Sequence, residues 1–547
     1  MDVLPLAMKS LNYFYAMFTA THLAYNQTGS FSKIITDYLN GAEVLRPFYG
    51  QPPTMKGIAA KIAERKTMQI NREVLVQVLE QQYKELPVSE SVAQNIQALL
   101  SPDTFTVTTA HQPNLFTGPL YFIYKILHAV KLTETFKQEW PAYHFVPVYY
   151  MGSEDADFAE LNHTFVDGKK LEWKKEQGGA VGRMLVDKTL VQLIEELEGQ
   201  LGVEEKGAEV IGLLRKAYVA GKTIQSATFE LINELYGAFG LVVLIPDHPL
   251  LKAQMMTLFA DDLFAHKPFA IVNETSEKIG EVYHAQAHPR EINLFYLKDN
   301  LRERIEEKDG KFYVLNTAFS FTKEEMQREL NEHPERFSPN VILRGIYQET
   351  ILPNLAFVGG GGELAYWLQL KDLFAAYKAS YPILILRNSF LVVEEKWKKK
   401  LEGLGIMVQQ LFAGETELTN DLVKKKAEHP VSLNGTLENA TALFATIRNK
   451  ATAVDATLSK HVGAIEARSL KALQELEKKM LRAEKRKHAD LGGQVHKLKE
   501  VLFPNDGLQE RVENFSRFYA KWGRSFIEEL LKDSLVLEQE FTVLTEA

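Results

Sequence analysis

The chain has no cysteine among its 547 residues. That absence excludes disulfide bonds, thiolate metal sites, iron–sulfur clusters and a cysteine nucleophile, so any chemistry must come from other side chains. Long apolar runs are missing too, because runs such as residues 241–245 and 383–386 fall far short of the ~18 residues of a membrane span. We therefore expect a soluble, cytoplasmic protein with no membrane partner.

Positive charge is not in excess either. The sequence has 63 Lys and Arg against 71 Asp and Glu, a net charge of −8, which supplies no general attraction for nucleic acid. The two basic runs, residues 396–400 and 424–426, lie in charge-rich helical sequence and are better explained as solvated helix faces. We expect no nucleic-acid partner.

The chain does have length and an ordinary globular composition, with 46% hydrophobic and 24% charged residues. From about residue 101 to 389, short β-branched or aromatic runs alternate with helical stretches, which predicts an α/β fold with a largely parallel sheet. The predicted strands are residues 105–110, 144–150, 241–245 and 383–386. Residues 171–173 and 183–186, separated by a glycine-rich segment, predict an inserted hairpin.

Beyond residue 389 the sequence becomes charge-rich and helical. Apolar residues from Leu458 to Ala483 keep a 4-3-4-3-4-4-3 spacing, which predicts a coiled coil whose uncovered seam mediates homodimer formation. Gly492 and Gly493 break this pattern, and residues 509–531 predict one closing helix. The predicted domains are an α/β core with an N-terminal helical region over 1–390, a helical coiled-coil arm over 391–500, and a C-terminal helical segment over 501–547.

A polar corner follows the first predicted strand and precedes a helix that begins near Leu120. Such a corner points backbone N–H groups and the positive helix end toward a bound anion. Its side chains can add hydrogen bonds, and a phosphate or carboxylate would suit it. The plainer interpretation is a polar loop that caps a helix. The polar side chains are His111, Gln112, Asn114 and Thr117, followed by Gly118.

An acidic corner follows the second predicted strand. Asp155 and Asp157, close to Glu154, could bind a divalent ion, receive a substrate ammonium or act as a base. Glu160 and His163 lie a turn further along if this segment is helical. The pair Asp155-x-Asp157 also resembles the acidic pair of sugar-nucleotide glycosyltransferases, whereas two acids at a helix start are also ordinary N-terminal capping.

Four consecutive glycines, residues 359–362, let the backbone approach a ligand closely, and Glu363 after them can cap a helix or face the crevice. The run lacks Gly-x-Gly-x-x-Gly spacing, and the sequence contains no P-loop, so neither an NAD site nor a Walker-type ATP site is indicated. Arg344 and Arg387 are candidates to bind a carboxylate through two N–H groups; the alternative for each is a structural ion pair.

At these residues the sequence resembles the cysteine-adding enzymes of bacillithiol biosynthesis, over nearly the whole chain. The motifs that carry the resemblance are residues 112–121 with Lys125, 154–158 with 162–163, 337–344, Pro353 with 359–367, and 502–505 with 508–511. The sequence departs from the family pattern at His111, where the family often has Gln, and at Gly345 and Gly361, where it has Pro.

The resemblance implies a Rossmann-like parallel-sheet core with an inserted antiparallel coiled-coil arm used for dimerisation. It also implies condensation of cysteine with the amine of glucosaminyl malate, so the expected partners are these two small molecules and a second copy of the chain. Joining a carboxyl to an amine requires an activated acyl group, removal of a proton from the ammonium and stabilisation of an oxyanion. The sequence does not identify the cofactor. A nucleotide such as ATP or ADP and a Mg²⁺ ion are both compatible with activation of the carboxyl.

We assign provisional roles to the residues of these motifs. The predicted catalytic residues are His111, Asn114, His163 and Glu363. The predicted substrate-binding residues are Gln112, Thr117, Gly118, Lys125, Asp155, Asp157, Arg344, Tyr366 and Arg387. No metal site is predicted beyond Mg²⁺ at Asp155 and Asp157.

Two other functions fit the same residues. One is a metal-dependent sugar-nucleotide glycosyltransferase that uses Asp155-x-Asp157, and the other is a non-enzymatic coiled-coil dimer whose α/β domain binds a ligand. A release of nucleoside diphosphate from a sugar nucleotide would favour the first. Partner binding that survives loss of the polar crevice residues would favour the second.

Overall fold

The computed structural model describes residues 17–175 and 178–547. Its strands, in chain order, are β1 Phe18–Ala24, β2 Thr104–His111, β3 His144–Met151, β4 His163–Val166, β5 Lys169–Glu172, β6 Val242–Leu244, β7 Leu294–Lys298, β8 Leu301–Lys308, β9 Lys311–Val314, β10 Ser320–Thr322, β11 Phe337–Pro339, β12 Asn354–Gly359, β13 Ile383–Leu386, β14 Ser389–Val393 and β15 Glu540–Glu546.

Helices make up most of the remaining structure. They are α1 Lys33–Leu39, α2 Met55–Arg65, α3 Arg72–Tyr83, α4 Glu90–Ala98, α5 Tyr121–Glu139, α6 Phe158–Leu161, α7 Lys188–Leu201, α8 Gly207–Ala217, α9 Ile224–Tyr236, α10 Pro249–Lys252, α11 Met256–Ala265, α12 Lys267–Gly280, α13 Lys323–Glu332, α14 Val341–Ile351, α15 Gly361–Leu368, α16 Lys371–Ala376, α17 Glu395–Leu404, α18 Glu415–Lys426, α19 Asn434–Val454, α20 Leu458–Lys487, α21 Ala489–Leu502, α22 Phe515–Trp522 and α23 Arg524–Lys532. Within the described ranges, none of these helices is both long and apolar enough to span a bilayer.

A parallel five-stranded sheet forms the centre of the first part of the chain, in the order β13-β12-β2-β3-β6. Every residue of β2 is buried, as expected for a central strand that is covered on both faces. Phe105, Val107, Phe145 and Leu355 pack in one apolar cluster with residues of α2 and α5. The predicted α/β fold with a Rossmann-like core is confirmed.

The strand order identifies the ligand-binding edge of this sheet. In chain order the five strands are β2, β3, β6, β12 and β13, so the chain first builds outward from β2 in one direction and then in the other. This is the doubly wound order, in which ligands bind outside the carboxyl ends of the strands where the direction reverses. The reversal lies between β2 and β12. Strand β12 was not among the predicted strands, although the glycine run 359–362 at its end was singled out.

One prediction about the strands was wrong, and a second sheet was not predicted. The inserted hairpin is formed by β4 and β5, one segment earlier than predicted, and residues 183–186 form a short 3₁₀ turn and extended chain. A second five-stranded sheet, β10-β9-β8-β7-β11, is antiparallel throughout. Its strands were not predicted, because β8 has a charged sequence and only one buried position among eight.

The chain divides into two compact units. The first runs to Val392 and resumes over Gly507–Thr545, and the second comprises Val393–Asp506. The second unit is helical, and α19 packs along α20 with an ion pair between Arg448 and Glu466. The predicted break at Gly492 and Gly493 was wrong, because α21 continues through both glycines and α20 ends at Lys487 instead. The predicted domain boundaries stay a prediction.

The C-terminal segment of the first unit is not one helix, as predicted, but a 3₁₀ turn at Gln509–Arg511 followed by α22 and α23. The break is at Gly523, where φ is 61° and ψ is −147°, a conformation that side-chain-bearing residues rarely adopt. The aromatic rings of Phe518 and Trp522 stack with centroids 5.8 Å apart, so these aromatics belong to the core.

The apolar seam on α20 is only partly covered within the chain. Val462 is buried, but Leu458, Ile465 and Leu476 are 37%, 42% and 47% exposed. We expect replacement of Leu476 and Met480 together by Glu to shift the protein toward monomer in analytical ultracentrifugation, because charges on the seam oppose burial against a second copy. An unchanged sedimentation coefficient would contradict homodimer formation through this seam.

Candidate active site

A cavity of about 780 Å³ opens at the carboxyl edge of the parallel sheet, where the strand order reverses. It is lined by the ends of β2 and β12, the residue after β13, the first turns of α5, α14 and α15, and a loop before β7. The predicted site residues that line it are His111, Gln112, Lys125, Arg344, Glu363, Tyr366 and Arg387. The sheet thus brings together residues from three separate sequence motifs.

His111 is the last residue of β2 and lies in the cavity wall. Its ring packs against Phe122 with centroids 4.9 Å apart, and the residue is 8% exposed. Burial lowers the pKa of His111 well below its usual value, and the charges of Lys125, Arg344 and Arg387 lower it further. The ring is therefore neutral near pH 7. Its Nε2 atom has no hydrogen-bond partner in the described part of the chain, so it is free to accept or donate a proton.

Lys125 and Glu363 form a buried ion pair beside His111. Lys125 also donates from Nζ to the Ala110 carbonyl oxygen at 2.9 Å, and Glu363 accepts from the Gly360 N–H at 2.7 Å. The sequence allowed Glu363 either to cap a helix or to face the crevice. In the structure it does both, because it caps α15 and also lines the cavity. Because its carboxylate is held by a lysine and a backbone N–H, it is poorly suited to act as a base.

Arg387 is held mainly by structural partners. It donates from Nη2 to Glu510 at 2.7 Å and from Nη1 to the Asn388 carbonyl and the Ser389 hydroxyl, both at 3.0 Å. Glu510 is completely buried and also accepts from the Phe390 N–H. The structural ion pair is thus the main role of this arginine. Its Nε atom alone has no partner within the described residues and adds one donor to the cavity.

Arg344, unlike Arg387, has no carboxylate as a direct partner within the described residues. Its guanidinium donates to the Tyr366 hydroxyl, and among the residues that the structure describes no carboxylate lies close enough for a direct ion pair. Burial would lower the pKa of Arg344, but Tyr366 and the more distant Asp155 outweigh it and raise the pKa. A half-buried guanidinium with free donors is suited to bind a carboxylate through two N–H groups.

In the acidic corner, the two candidate Mg²⁺ ligands Asp155 and Asp157 each have a protein hydrogen-bond partner. Asp155 accepts from Gln112 Nε2 at 3.3 Å, whereas Asp157 is exposed and caps α6 by accepting from the Glu160 N–H. His163 lies in β4 and does not line the cavity. Across residues 17–175 and 178–547, no three His, Asp or Glu side chains are grouped to hold a metal ion. Mg²⁺ at Asp155 and Asp157 stays a prediction.

Asn114, Thr117 and Gly118 lie in the turn after β2 but do not line the cavity. The N–H groups of Thr117 and Gly118 bond to carbonyl groups within the turn, so the predicted backbone anion site is not available there. Asn514 fastens the turn by donating to the carbonyl oxygens of Phe116 and Gly118, at 2.9 and 2.6 Å. At Gly118, where φ is +67°, a Cβ atom would lie 2.8 Å from that of Asn114, so only glycine fits.

One wall of the cavity was missed from the sequence. It is the loop over residues 286–290, which contributes Gln286, His288 and Arg290. The buried Gln369 anchors this loop, since its Oε1 accepts from the Gln286 and Ala287 N–H groups, both at 2.9 Å. Two histidines and an arginine within residues 284–290 are the only signal in the sequence, and their spacing does not place them at any strand end. Arg511, also in the wall, lies in a motif that carried the family resemblance.

Two family models match the chain. The model described as "Bacillithiol biosynthesis BshC, N-terminal Rossmann-like domain" matches residues 18–388. The model described as "Bacillithiol biosynthesis BshC, C-terminal coiled-coil domain" matches residues 390–546. Together they cover nearly the whole chain, including every residue that lines the cavity.

Several curated proteins are similar to the chain over nearly their full length, and each is provisionally named cysteine ligase BshC. The one from Christiangramia forsetii is 41% identical over 96% of this chain and 98% of its own length. The one from Flavobacterium johnsoniae is 40% identical over 96% of this chain and 99% of its own length. The one from Salinibacter ruber is 30% identical over 92% and 94%.

Proposed function

The chain belongs to the BshC family, the cysteine ligases of bacillithiol biosynthesis, and on that premise we propose that cysteine is joined to the amine of glucosaminyl malate in the cavity at the carboxyl edge of the parallel sheet. One observation carries this proposal. A neutral histidine with a free Nε2 lies beside three cationic side chains, at the edge where doubly wound sheets bind their ligands.

The cationic groups suit a substrate that carries carboxylates. Arg344 offers free guanidinium donors beside Tyr366, and Arg290 faces the same cavity from the loop before β7. Malate has two carboxylates, and a planar guanidinium binds each such group through two parallel hydrogen bonds. We assign the malate end of glucosaminyl malate to these arginines, with Gln112 as a further polar contact.

His111 is the residue placed to act on the attacking amine or on the oxyanion. Amide formation requires the ammonium of the glucosamine to lose a proton before it attacks an activated cysteine carboxyl. A neutral imidazole can take that proton, or its N–H can stabilise the negative oxygen that develops at the carbonyl. The low pKa of His111 keeps the ring neutral and favours the role of N–H donor, because a ring that resists protonation is a weak base.

The structure changes two of the provisional roles. Of the predicted catalytic residues we place His111, and not His163 or Glu363, at the reacting atoms, because His163 lies outside the cavity and Glu363 is held by Lys125. Lys125 remains a candidate for binding an acidic group, since Glu363 fixes its ammonium beside His111. We further propose that the enzyme acts in the cytoplasm as a homodimer formed through the α19–α20 arm. The relatives support neither the glycosyltransferase nor the non-enzymatic alternative.

Mass spectrometry of cysteine and glucosaminyl malate incubated with the full chain tests this proposal. We expect a product whose mass equals the sum of the two substrates less one water, the mass change of amide formation. Parallel reactions with and without ATP and Mg²⁺ identify what activates the carboxyl. Failure to form this product under every condition would contradict the proposal, and metal-dependent release of nucleoside diphosphate from a sugar nucleotide would favour the glycosyltransferase instead.

A further inference from the structure

The buried side chain of Asn293 connects two walls of the cavity. It is 1% exposed, and it lies in the segment between the loop over residues 286–290 and β7. Its Oδ1 accepts from the Arg290 N–H at 3.1 Å, and its Nδ2 donates to the Arg290 carbonyl oxygen at 2.7 Å. Both backbone groups of Arg290 are therefore fixed by one amide.

The same amide also holds the start of α14. Asn340 donates from Nδ2 to Asn293 Oδ1 at 3.0 Å and from its backbone N–H to the Asn293 carbonyl oxygen, also at 3.0 Å. Asn340 is the N-cap of α14, where its Oδ1 accepts from the Ile342 N–H at 2.8 Å. Arg344 lies one turn further along the helix, and its N–H bonds to the Asn340 carbonyl oxygen at 2.9 Å. Asn293 thus joins the elements that carry two of the cavity arginines, Arg290 and Arg344.

Asp262, on α11, sets the orientation of this amide. It is completely buried, and it accepts from the Asn293 N–H at 2.7 Å and from Asn293 Nδ2 at 3.0 Å. Burial raises the pKa of Asp262 to about 7, and the two hydrogen bonds from Asn293 oppose this rise because they favour the ionised form, which can only accept. An accepting Asp262 requires Nδ2 to face α11, and Oδ1 then faces Arg290 and Asn340. All four hydrogen-bonding positions of the Asn293 amide are used. Burying a carboxylate is costly, so a position that only needed filling would be better served by an apolar residue.

We propose that Asn293, oriented by Asp262, is a positioning residue that sets the spacing between Arg290 and Arg344 and thereby the affinity of the cavity for a substrate with two carboxylates. The inference rests on the proposed function and deepens it, because it names the internal connection that makes two arginines on different elements act on one ligand. Neither Asn293 nor Asp262 touches the ligand in this account.

The test compares steady-state kinetics of Asn293→Ala with those of the unsubstituted full chain. We expect the KM for glucosaminyl malate to rise about three- to tenfold, which is the loss of affinity that corresponds to the net contribution of one or two hydrogen bonds. We expect kcat and the KM for cysteine to stay within about twofold, because His111 and the sheet edge are untouched. In a background that carries Arg290→Ala and Arg344→Ala, Asn293→Ala should cause no further rise in the KM for glucosaminyl malate, since the effects of coupled substitutions are not additive.

Asn95→Ala is the matched control. Asn95 is also a buried asparagine with side-chain hydrogen bonds, to the Gly240 carbonyl and to His144, and it does not line the cavity. We expect it to lower the melting temperature without changing KM. If Asn293→Ala behaved in the same way, Asn293 would be merely structural and the inference would be overturned.

A milder variant covers the case in which Asn293→Ala does not fold. Asn340→Ser keeps an oxygen to cap α14 but removes the donor to Asn293 Oδ1, so the KM for glucosaminyl malate should rise in the same direction; an unchanged KM would overturn the inference. Calorimetric titration of glucosaminyl malate makes the same comparison without turnover. Absence of product from the unsubstituted chain would instead count against the proposed function, so the two failures are distinguishable.

Discussion

Replacing His111 by alanine is expected to lower kcat at saturating substrates at least about tenfold, toward the 10²- to 10³-fold loss that follows removal of one oxyanion donor. The reason is the free Nε2 of a neutral, buried ring beside Lys125, Arg344 and Arg387. Whether this atom takes a proton from the amine or stabilises the oxyanion, its contribution arises in the transition state, so kcat should fall more than KM rises. Stopped assays at several concentrations of both substrates give the two constants.

Asn114→Ala is the matched control for this prediction. The sequence placed Asn114 with His111 in the catalytic corner, but the structure packs it in the turn beneath Gly118, away from the cavity. We therefore expect Asn114→Ala to lower the melting temperature and to leave kcat within about twofold, since truncating this buried side chain loosens the packing of the turn but does not reach the cavity. Unchanged kcat in His111→Ala would remove this corner from the active site.

The acid stability of His111→Ala provides an independent check on the neutral ring. The pKa of folded His111 lies well below the 6.5 of an unfolded histidine, because burial and the neighbouring cations oppose its charge. Below about pH 6.5 the unfolded chain therefore binds a proton that the folded chain does not, and stability falls as the pH falls. In His111→Ala the free energy of unfolding should therefore decrease less steeply as the pH falls below about 6.5.

Arg344→Lys is expected to raise the KM for glucosaminyl malate about tenfold or more, equivalent to about 1.4 kcal/mol. The substitution keeps the positive charge but loses the planar fork that binds a carboxylate through two N–H groups. It also loses the hydrogen bond to Tyr366, so part of the effect arises from a less ordered side chain. Calorimetric titration of the substrate measures the change directly.

Arg183→Lys is the control for that substitution. Arg183 also binds a carboxylate through two N–H groups, since its Nε and Nη2 atoms donate to the two oxygens of Asp247 at 2.7 and 2.8 Å. It does not line the cavity. We expect this variant to lower the melting temperature with little change in substrate affinity. If Arg344→Lys instead lowered the melting temperature and left substrate affinity unchanged, Arg344 would be structural.

The edge of the sheet could be predicted from the sequence, because short stretches of consecutive residues determine both the strands and the polar groups at their ends. Strands β2, β3 and β13 are runs of β-branched and aromatic residues, and the polar groups that follow β2 and β13 include His111 and Arg387. Strand β12 was missed because it begins with asparagine and ends in glycine, both of which are unfavourable in strands. Its position beside β2 nevertheless creates the reversal of strand order.

The contacts that organise the site could not be predicted, because they join residues far apart in the chain. Glu510 pairs with Arg387 across 123 residues, and Asn340 bonds to Asn293 across 47. No local pattern specifies either partner, since a buried acid or amide is selected by the fold that surrounds it. For the same reason Asp157, whose spacing suggested a ligand site, proved to be a helix cap.

The crystal structure of the full chain with glucosaminyl malate is the most direct test of the cavity as the active site. The account predicts that a malate carboxylate lies about 3 Å from the Arg344 guanidinium and that the glucosamine nitrogen lies within hydrogen-bonding reach of His111 Nε2. Glucosaminyl malate bound at the acidic corner of Asp157, with the cavity empty, would contradict it.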